Sequence, residues 1–123
     1  MSARDDAYVY DMLLEARRIA RFVDGVDRAA FDGDEVLQYA LVRAITVFGE
    51  AARRVSEARR GRHPEIPWDR IIGMRNRLVH DYDHIDLDVV WDVAKKRIPP
   101  LVETLERIAP RPDAQHDAGE GET

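Results

Sequence analysis

Apolar side chains recur at spacings of three and four residues along most of this chain, and that period places them on one face of an α-helix. One run near the amino terminus comprises Val9, Met12, Leu13, Ala16, Ile19, Ala20 and Val23. A second run comprises Leu37, Leu41, Ala44, Ile45, Phe48, Ala51, Ala52 and Val55. No stretch alternates apolar and polar residues as a half-buried strand does. The pattern predicts an all-α fold, an antiparallel bundle of about four helices.

The limits of the first helix follow from residues that cap and stop helices. Asp5 or Asp6 suits the N-cap, because a carboxylate accepts hydrogen bonds from the free amides of a first turn. Gly25 suits the stop, because glycine adopts the left-handed conformation at low cost. The segment 24–33 that follows is predicted to be a polar connection, with Phe31 as its one apolar anchor.

The second helix is predicted to open at Asp32 or Asp34 and to run to about Arg60. Gly49 lies in its middle, where glycine costs about 1 kcal/mol relative to alanine. A side chain this small lets another backbone approach closely. We therefore expect a neighbouring helix to pack tightly against Gly49.

Prolines divide the second half of the chain. A segment with one glycine and two prolines separates the second helix from a third, which is predicted to start at Pro67 or Trp68. A fourth helix is predicted to start near Asp86. Pro99 and Pro100 should bend or split this last helix, because proline lacks an amide donor and crowds the preceding turn.

The composition changes after Ala109 to Pro, Asp, Gly, Glu and Gln without an apolar period. We expect residues 110–123 to form a disordered acidic tail and residues 1–109 to form one helical domain. The chain has no cysteine, and nothing near Met1 resembles a signal peptide or a span of about 20 apolar residues. These features predict a cytoplasmic protein without a membrane segment.

Charge is unevenly distributed along the chain. The 123 residues carry a formal net charge of -5, which disfavours a permanent hold on nucleic acid, because such binding normally uses a basic surface. Between Arg53 and His80, however, eight arginines accompany three acidic residues, a local balance of +5. Two interpretations stay open for this stretch: a solvated arginine-rich helix face, or a local patch that faces RNA.

The octet from Arg75 to Tyr82 reads Arg-Asn-Arg-Leu-Val-His-Asp-Tyr and gathers a cation, an amide, an imidazole and a phenol within about two helical turns. Arginine stays charged at ordinary pH and histidine exchanges protons near neutrality, a combination that suits a phosphodiester gaining charge during reaction. RNA supplies its own nucleophile, the 2′-hydroxyl, so no metal or other cofactor is required. We predict RNA cleavage with His80 as base or acid and Arg75 as stabilising cation.

Helical geometry limits what the side chains of the octet can do together. Asn76 lies four residues before His80, so its amide is predicted either to orient the imidazole or to cap the helix. Arg75 lies five residues before His80, about 140° around an ideal helix and about 7.5 Å along it. The two side chains would meet more readily if a second copy placed its own octet opposite. We therefore predict a site in the cleft of a symmetric homodimer.

These residues allow two other interpretations. A metal phosphohydrolase could use the adjacent His80 and Asp81 with His63 or His84, but their spacing does not match a closed ligand shell, and we predict no metal site. A purely structural role also stays open. A histidine at the C-terminal end of a helix can interact favourably with the helix dipole, and Tyr82 can anchor the turn between two helices.

Four motifs in this chain are characteristic in combination. They are Gly-Glu-Ala-Ala at 49–52, His-Pro-Glu-Ile-Pro-Trp at 63–68, Ile-Ile-Gly-Met-Arg-Asn-Arg-Leu-Val-His-Asp-Tyr at 71–82 and Ile-Asp-Leu-Asp-Val-Val-Trp at 85–91. Together they resemble the HepT-like toxins of the HEPN superfamily, whose central motif is Arg, four residues, His, one residue and Tyr. Arg75, His80 and Tyr82 match it. Within the first motif, Glu50 is predicted to pair with Arg54 at helical spacing.

The resemblance implies a HEPN-like domain and a metal-independent ribonuclease that acts as a homodimer, from a prokaryotic two-gene toxin–antitoxin system. The implied partner is an MntA-like minimal nucleotidyltransferase, which uses ATP to attach AMP to the motif tyrosine, here Tyr82. An anionic AMP two residues from His80 would block and repel the RNA phosphates. The alternative is a non-catalytic helical dimer that binds the transferase and is modified by it.

Overall fold

Helices make up most of residues 2–110, which are the residues that the computed structural model describes. In chain order the elements are α1 (Ala3–Val23), α2 (Arg28–Asp32), α3 (Glu35–Arg54), α4 (Glu57–Gly61), α5 (Trp68–His80), α6 (Leu87–Asp92), a π-helical turn (Val93–Arg97) and α7 (Ile98–Ile108). No strand occurs within residues 2–110. Four long helical stretches, namely α1, α3, α5 and the continuous α6–α7, build the bundle, which confirms the predicted all-α fold.

The start of α1 differs from the prediction by a few residues. Ser2 caps this helix, because its hydroxyl oxygen accepts hydrogen bonds from the backbone N–H groups of Arg4 and Asp5. The predicted cap at Asp5 or Asp6 is therefore wrong. The predicted stop is confirmed, since α1 ends at Val23 and Gly25 follows in the left-handed conformation with φ of 73°.

The connection between α1 and α3 contains a short helix, α2, that the sequence did not predict. Asp27 caps it by accepting a hydrogen bond from the backbone N–H of Ala30. Phe31 is fully buried, as expected for an apolar anchor, and its ring lies 5.0 Å from the ring of Trp91 between centroids. Asp34, one of the two predicted residues, then caps α3.

The predicted extension of the second helix to Arg60 is wrong, because α3 ends at Arg54 and α4 starts separately after Ser56. Asp5 on α1 causes the break. Its Oδ1 accepts a hydrogen bond from the backbone N–H of Ser56 at 2.9 Å, and its Oδ2 accepts one from the Ser56 hydroxyl at 2.6 Å. A backbone amide that donates to another helix in this way does not continue the ladder of its own helix.

The start of α5 agrees with the prediction, since Trp68 follows Pro67 as the first helical residue. The indole N–H of Trp68 donates a hydrogen bond to the backbone oxygen of His63 at 3.0 Å, which ties the start of α5 to the preceding loop. Further along, α5 packs against α3 at Gly49. A Cβ atom at Gly49 would lie 2.3 Å from the Cβ of Arg75, so the close helix contact predicted there is confirmed.

The last helix changes its pitch before its prolines. Asp86 caps α6 by accepting hydrogen bonds from the first turn, and the π-helical turn Val93–Arg97 joins α6 to α7. Pro99 and Pro100 occupy the first turn of α7, where a missing amide donor costs little because it has no partner within the new helix. The predicted bend of the last helix is confirmed.

The helices pack around a common core and leave a groove beside α5. α3 packs between α1 and α5, and α7 packs on α1. Between α5 and the α6–α7 stretch a groove of about 500 Å³ remains. Each large core residue that is fully buried contributes roughly 1.5–3 kcal/mol to the free energy of folding. The core includes Met12, Ile19, Phe31, Leu41, Phe48, Val90, Ile98 and Leu105.

Two predictions concern the ends of the chain and the membrane. The predicted tail falls outside the described residues from position 111 onward. Among the helices of residues 2–110, none has both the length and the apolar character needed to cross a membrane.

Candidate active site at the end of α5

Arg75 is held at the contact between α3 and α5 by two neighbours. Its Nη2 lies 2.8 Å from Oε1 of Glu50 on α3, and its Nη1 donates a hydrogen bond to Oδ1 of Asn76 at 2.9 Å. The Arg75 side chain is 22% exposed, while its Nε is buried and makes no hydrogen bond within residues 2–110. The guanidinium is therefore fixed in orientation and still reaches solvent.

Gly49 makes this position of Arg75 possible. A Cβ at Gly49 would lie 2.3 Å from the Cβ and 3.0 Å from the Cγ of Arg75, which is closer than real atoms approach. Any larger residue at position 49 would displace α5 or the arginine side chain. Sequence spacing predicted the tight packing, but it could not identify Arg75 as the residue that lies against this glycine.

Glu50 binds three arginines at once. Its Oε2 lies 2.8 Å from Nη2 of Arg53 and 2.8 Å from Nε of Arg54, and its Oε1 pairs with Arg75. These partners, first Arg53 and Arg54 and then Arg75, lower the pKa of the Glu50 carboxyl to about 2, so the group stays ionised at ordinary pH. The predicted Glu50–Arg54 pair is confirmed. The three cations outweigh the one carboxylate, which favours binding of an anion nearby.

His80 is the last residue of α5 and is exposed. Within residues 2–110, its imidazole makes no hydrogen bond and no ion pair, and the backbone N–H of Asp81 closes the helix by donating to the backbone oxygen of Arg77. The amide of Asn76 takes neither role considered from the sequence. It accepts a hydrogen bond from Arg75 instead.

Tyr82 lies in the turn after α5 and is 76% exposed. A tyrosine that anchored this turn would be buried, so its exposure argues against the structural role considered from the sequence. Val79, one turn earlier, is also exposed at 39%. Apolar surface therefore lies on both sides of His80 along the chain.

Within a single chain, Arg75 and His80 are not joined by a hydrogen bond. Neither residue lines the groove between α5 and α6–α7, although Met74 beside Arg75 does. One chain thus presents a fixed cation in the middle of α5 and an exposed imidazole at its end, both outside this groove.

The described residues do not gather a metal site. Among residues 2–110, no three His, Asp or Glu side chains lie close enough together to hold an ion. His63, considered above as a possible ligand, packs against α4, where its Nε2 accepts a hydrogen bond from Nε of Arg59 at 3.3 Å. Burial is the main cause that lowers the pKa of His63 below its ordinary value of 6.5.

The arginine-rich stretch divides into structural and surface residues. Arg59 is only 3% exposed and binds Asp6 at 2.8 Å, so its charge holds α4 against α1. Arg53 and Arg54 are about half exposed, at 47% and 52% of their side chains, and lie beside Arg75 through Glu50. Arg53 and Arg54 can therefore meet an anion close to Arg75, and Arg62, Arg70 and Arg77 are exposed as well.

Similarity to known proteins identifies the family of this chain. The family model described as "Ribonuclease HepT-like" matches residues 12–108. The chain belongs to the HepT-like ribonuclease family. This HepT-like assignment agrees with the resemblance carried by Arg75, His80 and Tyr82.

Curated relatives span the same domain. The chain is 34% identical over 109 residues to the candidate RNase MJ1380 of Methanocaldococcus jannaschii, which covers 88% of this chain and all of that protein. It is 32% identical over 101 residues to the "Probable ribonuclease HepT" of Thermococcus cleftensis, which covers 82% of this chain and 92% of that protein. No solved structure matches this HepT-like chain.

Proposed function

We propose that this HepT-like chain is a metal-independent endoribonuclease and the toxin of a two-gene toxin–antitoxin system. The observation that carries the proposal is the contrast between two motif residues: Arg75 is fixed and charged, whereas His80 is exposed and unbonded. Cleavage of RNA needs both properties, a cation at a set position and a group that is free to exchange a proton.

In the proposed reaction, the 2′-hydroxyl of a ribose attacks the adjacent phosphorus. His80 takes the hydroxyl proton, and Arg75 stabilises the additional charge on the phosphate oxygens. The bond between phosphorus and the 5′-oxygen breaks, and that oxygen receives a proton from a second acid. The products are a 2′,3′-cyclic phosphate end and a 5′-hydroxyl end.

A homodimer would complete this site. Val79 and Tyr82 expose apolar surface on either side of His80, and Arg75 and His80 of one chain are not joined by a hydrogen bond. A second octet related by a two-fold axis would pack against Val79, leave the Tyr82 hydroxyl accessible and bring a second imidazole. One His80 would then act as the base and its counterpart in the other copy as the acid.

The proposed antitoxin is an MntA-like nucleotidyltransferase that modifies Tyr82. The tyrosine oxygen would attack the α-phosphorus of ATP and form a phosphodiester with AMP, while the bond to pyrophosphate breaks. The 76% exposure of Tyr82 supports this role, since a transferase must reach the hydroxyl. The added phosphate would lie near His80 and repel RNA phosphates.

Cleavage of labelled RNA by purified protein tests the chemistry. We expect activity in excess EDTA, and a loss of about 10²- to 10⁴-fold in His80→Ala, the range for a missing acid or base. Arg75→Ala should be similarly impaired. His84→Ala is the matched control, because His84 is 86% exposed, close in sequence and outside the motif. Undiminished cleavage by His80→Ala would overturn the mechanism, and loss of activity in EDTA would overturn its independence of metal.

Expression in a host tests the biological role. The unmodified chain should arrest growth, and co-expression with the transferase should relieve the arrest. Tyr82→Phe should remain toxic in the presence of the transferase and ATP, because it lacks the acceptor oxygen. Full neutralisation of Tyr82→Phe would contradict the AMP switch. Absence of both growth arrest and RNA cleavage would favour the non-catalytic dimer instead.

A further inference from the structure

We propose that Glu50 is a positioning residue for Arg75 in the cleavage reaction. The proposal rests on the ribonuclease function proposed above and adds to it a residue outside the motif. Glu50 lies on α3 and Arg75 on α5, and their charged groups are 2.8 Å apart. Glu50 acts on the reaction only through Arg75.

The contact between Glu50 and Arg75 exceeds what the carboxylate needs for its own stability. Two arginines on the same helix, Arg53 and Arg54, already pair with Glu50 at the spacings that ordinary helix pairs use. The third contact crosses to another helix. It also requires Gly49 as the neighbouring residue, because only a glycine leaves space for the stem of Arg75.

Arg75 itself carries a sign of functional constraint. Its Nε is buried and makes no hydrogen bond within residues 2–110, and an unsatisfied buried donor costs free energy. A protein that needed Arg75 only for packing would gain by releasing this guanidinium to solvent. The arrangement is therefore better explained by the orientation of the group than by folding stability.

The two partners of Arg75 determine that orientation. A guanidinium carries five N–H donors in one plane. Glu50 binds at Nη2 and Asn76 at Nη1, so the plane is fixed while one donor on each of these nitrogens stays available. A cation fixed before the substrate arrives loses no energy to reorganisation during reaction, which is the basis of electrostatic catalysis by preorganised groups.

Steady-state kinetics on RNA provide the first test. Glu50→Ala removes the partner of Nη2, and we expect kcat to fall roughly tenfold to hundredfold, because small displacements of a catalytic group have effects of this size. The KM should change much less. Glu50→Gln keeps an oxygen that accepts from Nη2 and should recover most of kcat. The control is Glu106→Ala, which removes a helix-to-helix pair with Arg17 far along the sequence from the octet.

A double-mutant cycle separates positioning from a general structural effect. If Glu50 acts through Arg75, the loss caused by Glu50→Ala should largely disappear when Arg75 is already replaced by lysine. A purely structural role would give the same fractional loss in both backgrounds. It would also lower the thermal midpoint without changing kcat per folded molecule.

Chemical modification tests the orientation without any measurement of activity. Phenylglyoxal reacts with the terminal nitrogens of arginine. The contacts of these nitrogens with Glu50 and Asn76 should slow this reaction at Arg75. We expect Glu50→Ala to modify Arg75 several-fold faster, as read by mass spectrometry of peptides, while Arg17 keeps its rate. Equal rates at Arg75 in both proteins would overturn the proposal.

The outcomes distinguish the two proposals. If Arg75→Ala and His80→Ala both cleave RNA as well as the unmodified chain, the ribonuclease mechanism fails and Glu50 has no reaction to support. If those two variants are inactive but Glu50→Ala keeps its full kcat, the ribonuclease mechanism stands and only the positioning role of Glu50 is excluded.

Discussion

Arg75 and His80 belong to the same helix and the same motif, yet they lie in opposite environments. Arg75 sits against the backbone of α3, pairs with Glu50 and donates to Asn76. His80 sits at the end of α5, exposed and without a partner in the described residues, and Tyr82 follows it into solvent. One end of the motif is clamped and the other end is open.

The difference is consistent with the roles proposed above for these groups. A charge that stabilises a transition state works best when its position is fixed beforehand, because reorganisation would then cost energy during the reaction. A group that exchanges protons, and a hydroxyl that a transferase must reach, need access instead. The fold would meet both of these proposed requirements, because the middle of α5 packs on α3 and its last residues are exposed.

The largest effect on folding stability should come from a substitution at Gly49, which lies against Arg75. Gly49→Ala places a Cβ 2.3 Å from the Cβ of Arg75, so we expect a loss of about 1–3 kcal/mol in the free energy of unfolding, as for other overpacked contacts. RNA cleavage should fall as well, because Arg75 moves. Urea denaturation and the cleavage assay measure the two effects.

Gly73→Ala is the matched control for that experiment. Gly73 lies on α5, and a Cβ there would meet nothing within 4 Å. Alanine should therefore stabilise the chain by about 1 kcal/mol through its higher helix propensity. If both substitutions had the same sign, the close contact at Gly49 would not be the cause.

Contacts between near neighbours in the chain could be predicted from the sequence, whereas contacts between helices could not. Helix periodicity and Pro67 predicted α5, and helical spacing predicted the Glu50–Arg54 pair, because both follow from neighbours along the chain. The pair of Glu50 with Arg75 joins two helices, so no local spacing indicates it. The end of α3 was missed for the same reason, since Asp5 breaks the helix from 51 residues away.

The candidate site, too, was predictable from the sequence only in part. The identities of Arg75, His80 and Tyr82 were visible in the sequence because the motif is contiguous. Which of them is clamped was not visible, because that depends on Gly49 and Glu50 on another helix. The sequence therefore identified the motif residues, and packing between helices determined which of them are fixed and which are accessible.

A smaller effect on folding stability should appear in the pH dependence of the contacts between Glu50 and its three arginines. The pKa of Glu50 in the folded chain is about 2, below its ordinary value of 4.5, so the ionised carboxylate stabilises the fold. That contribution is complete above about pH 4.5 and disappears as the pH falls towards 2. Because the Glu50 side chain is 27% exposed, solvent screening keeps the contribution at roughly 1 kcal/mol.

Comparison of the unmodified chain with Glu50→Gln measures this contribution. The difference in the free energy of unfolding should be constant between about pH 8 and pH 5, and it should shrink below about pH 4.5. A difference that instead grew on acidification would show that the carboxylate is not held ionised by Arg53, Arg54 and Arg75.

The smallest effect on stability is expected at the open end. His80→Ala and Tyr82→Phe remove groups that are exposed and make no hydrogen bond within residues 2–110, so each should change the free energy of unfolding by less than about 0.5 kcal/mol. The same His80→Ala protein should lose most of its activity. A residue whose removal leaves the fold intact and abolishes the reaction is maintained for chemistry. A large loss of stability that does not depend on protein concentration would mean that the open end is packed within one chain. A loss that depends on concentration would come from the proposed dimer, because dissociation depends on concentration.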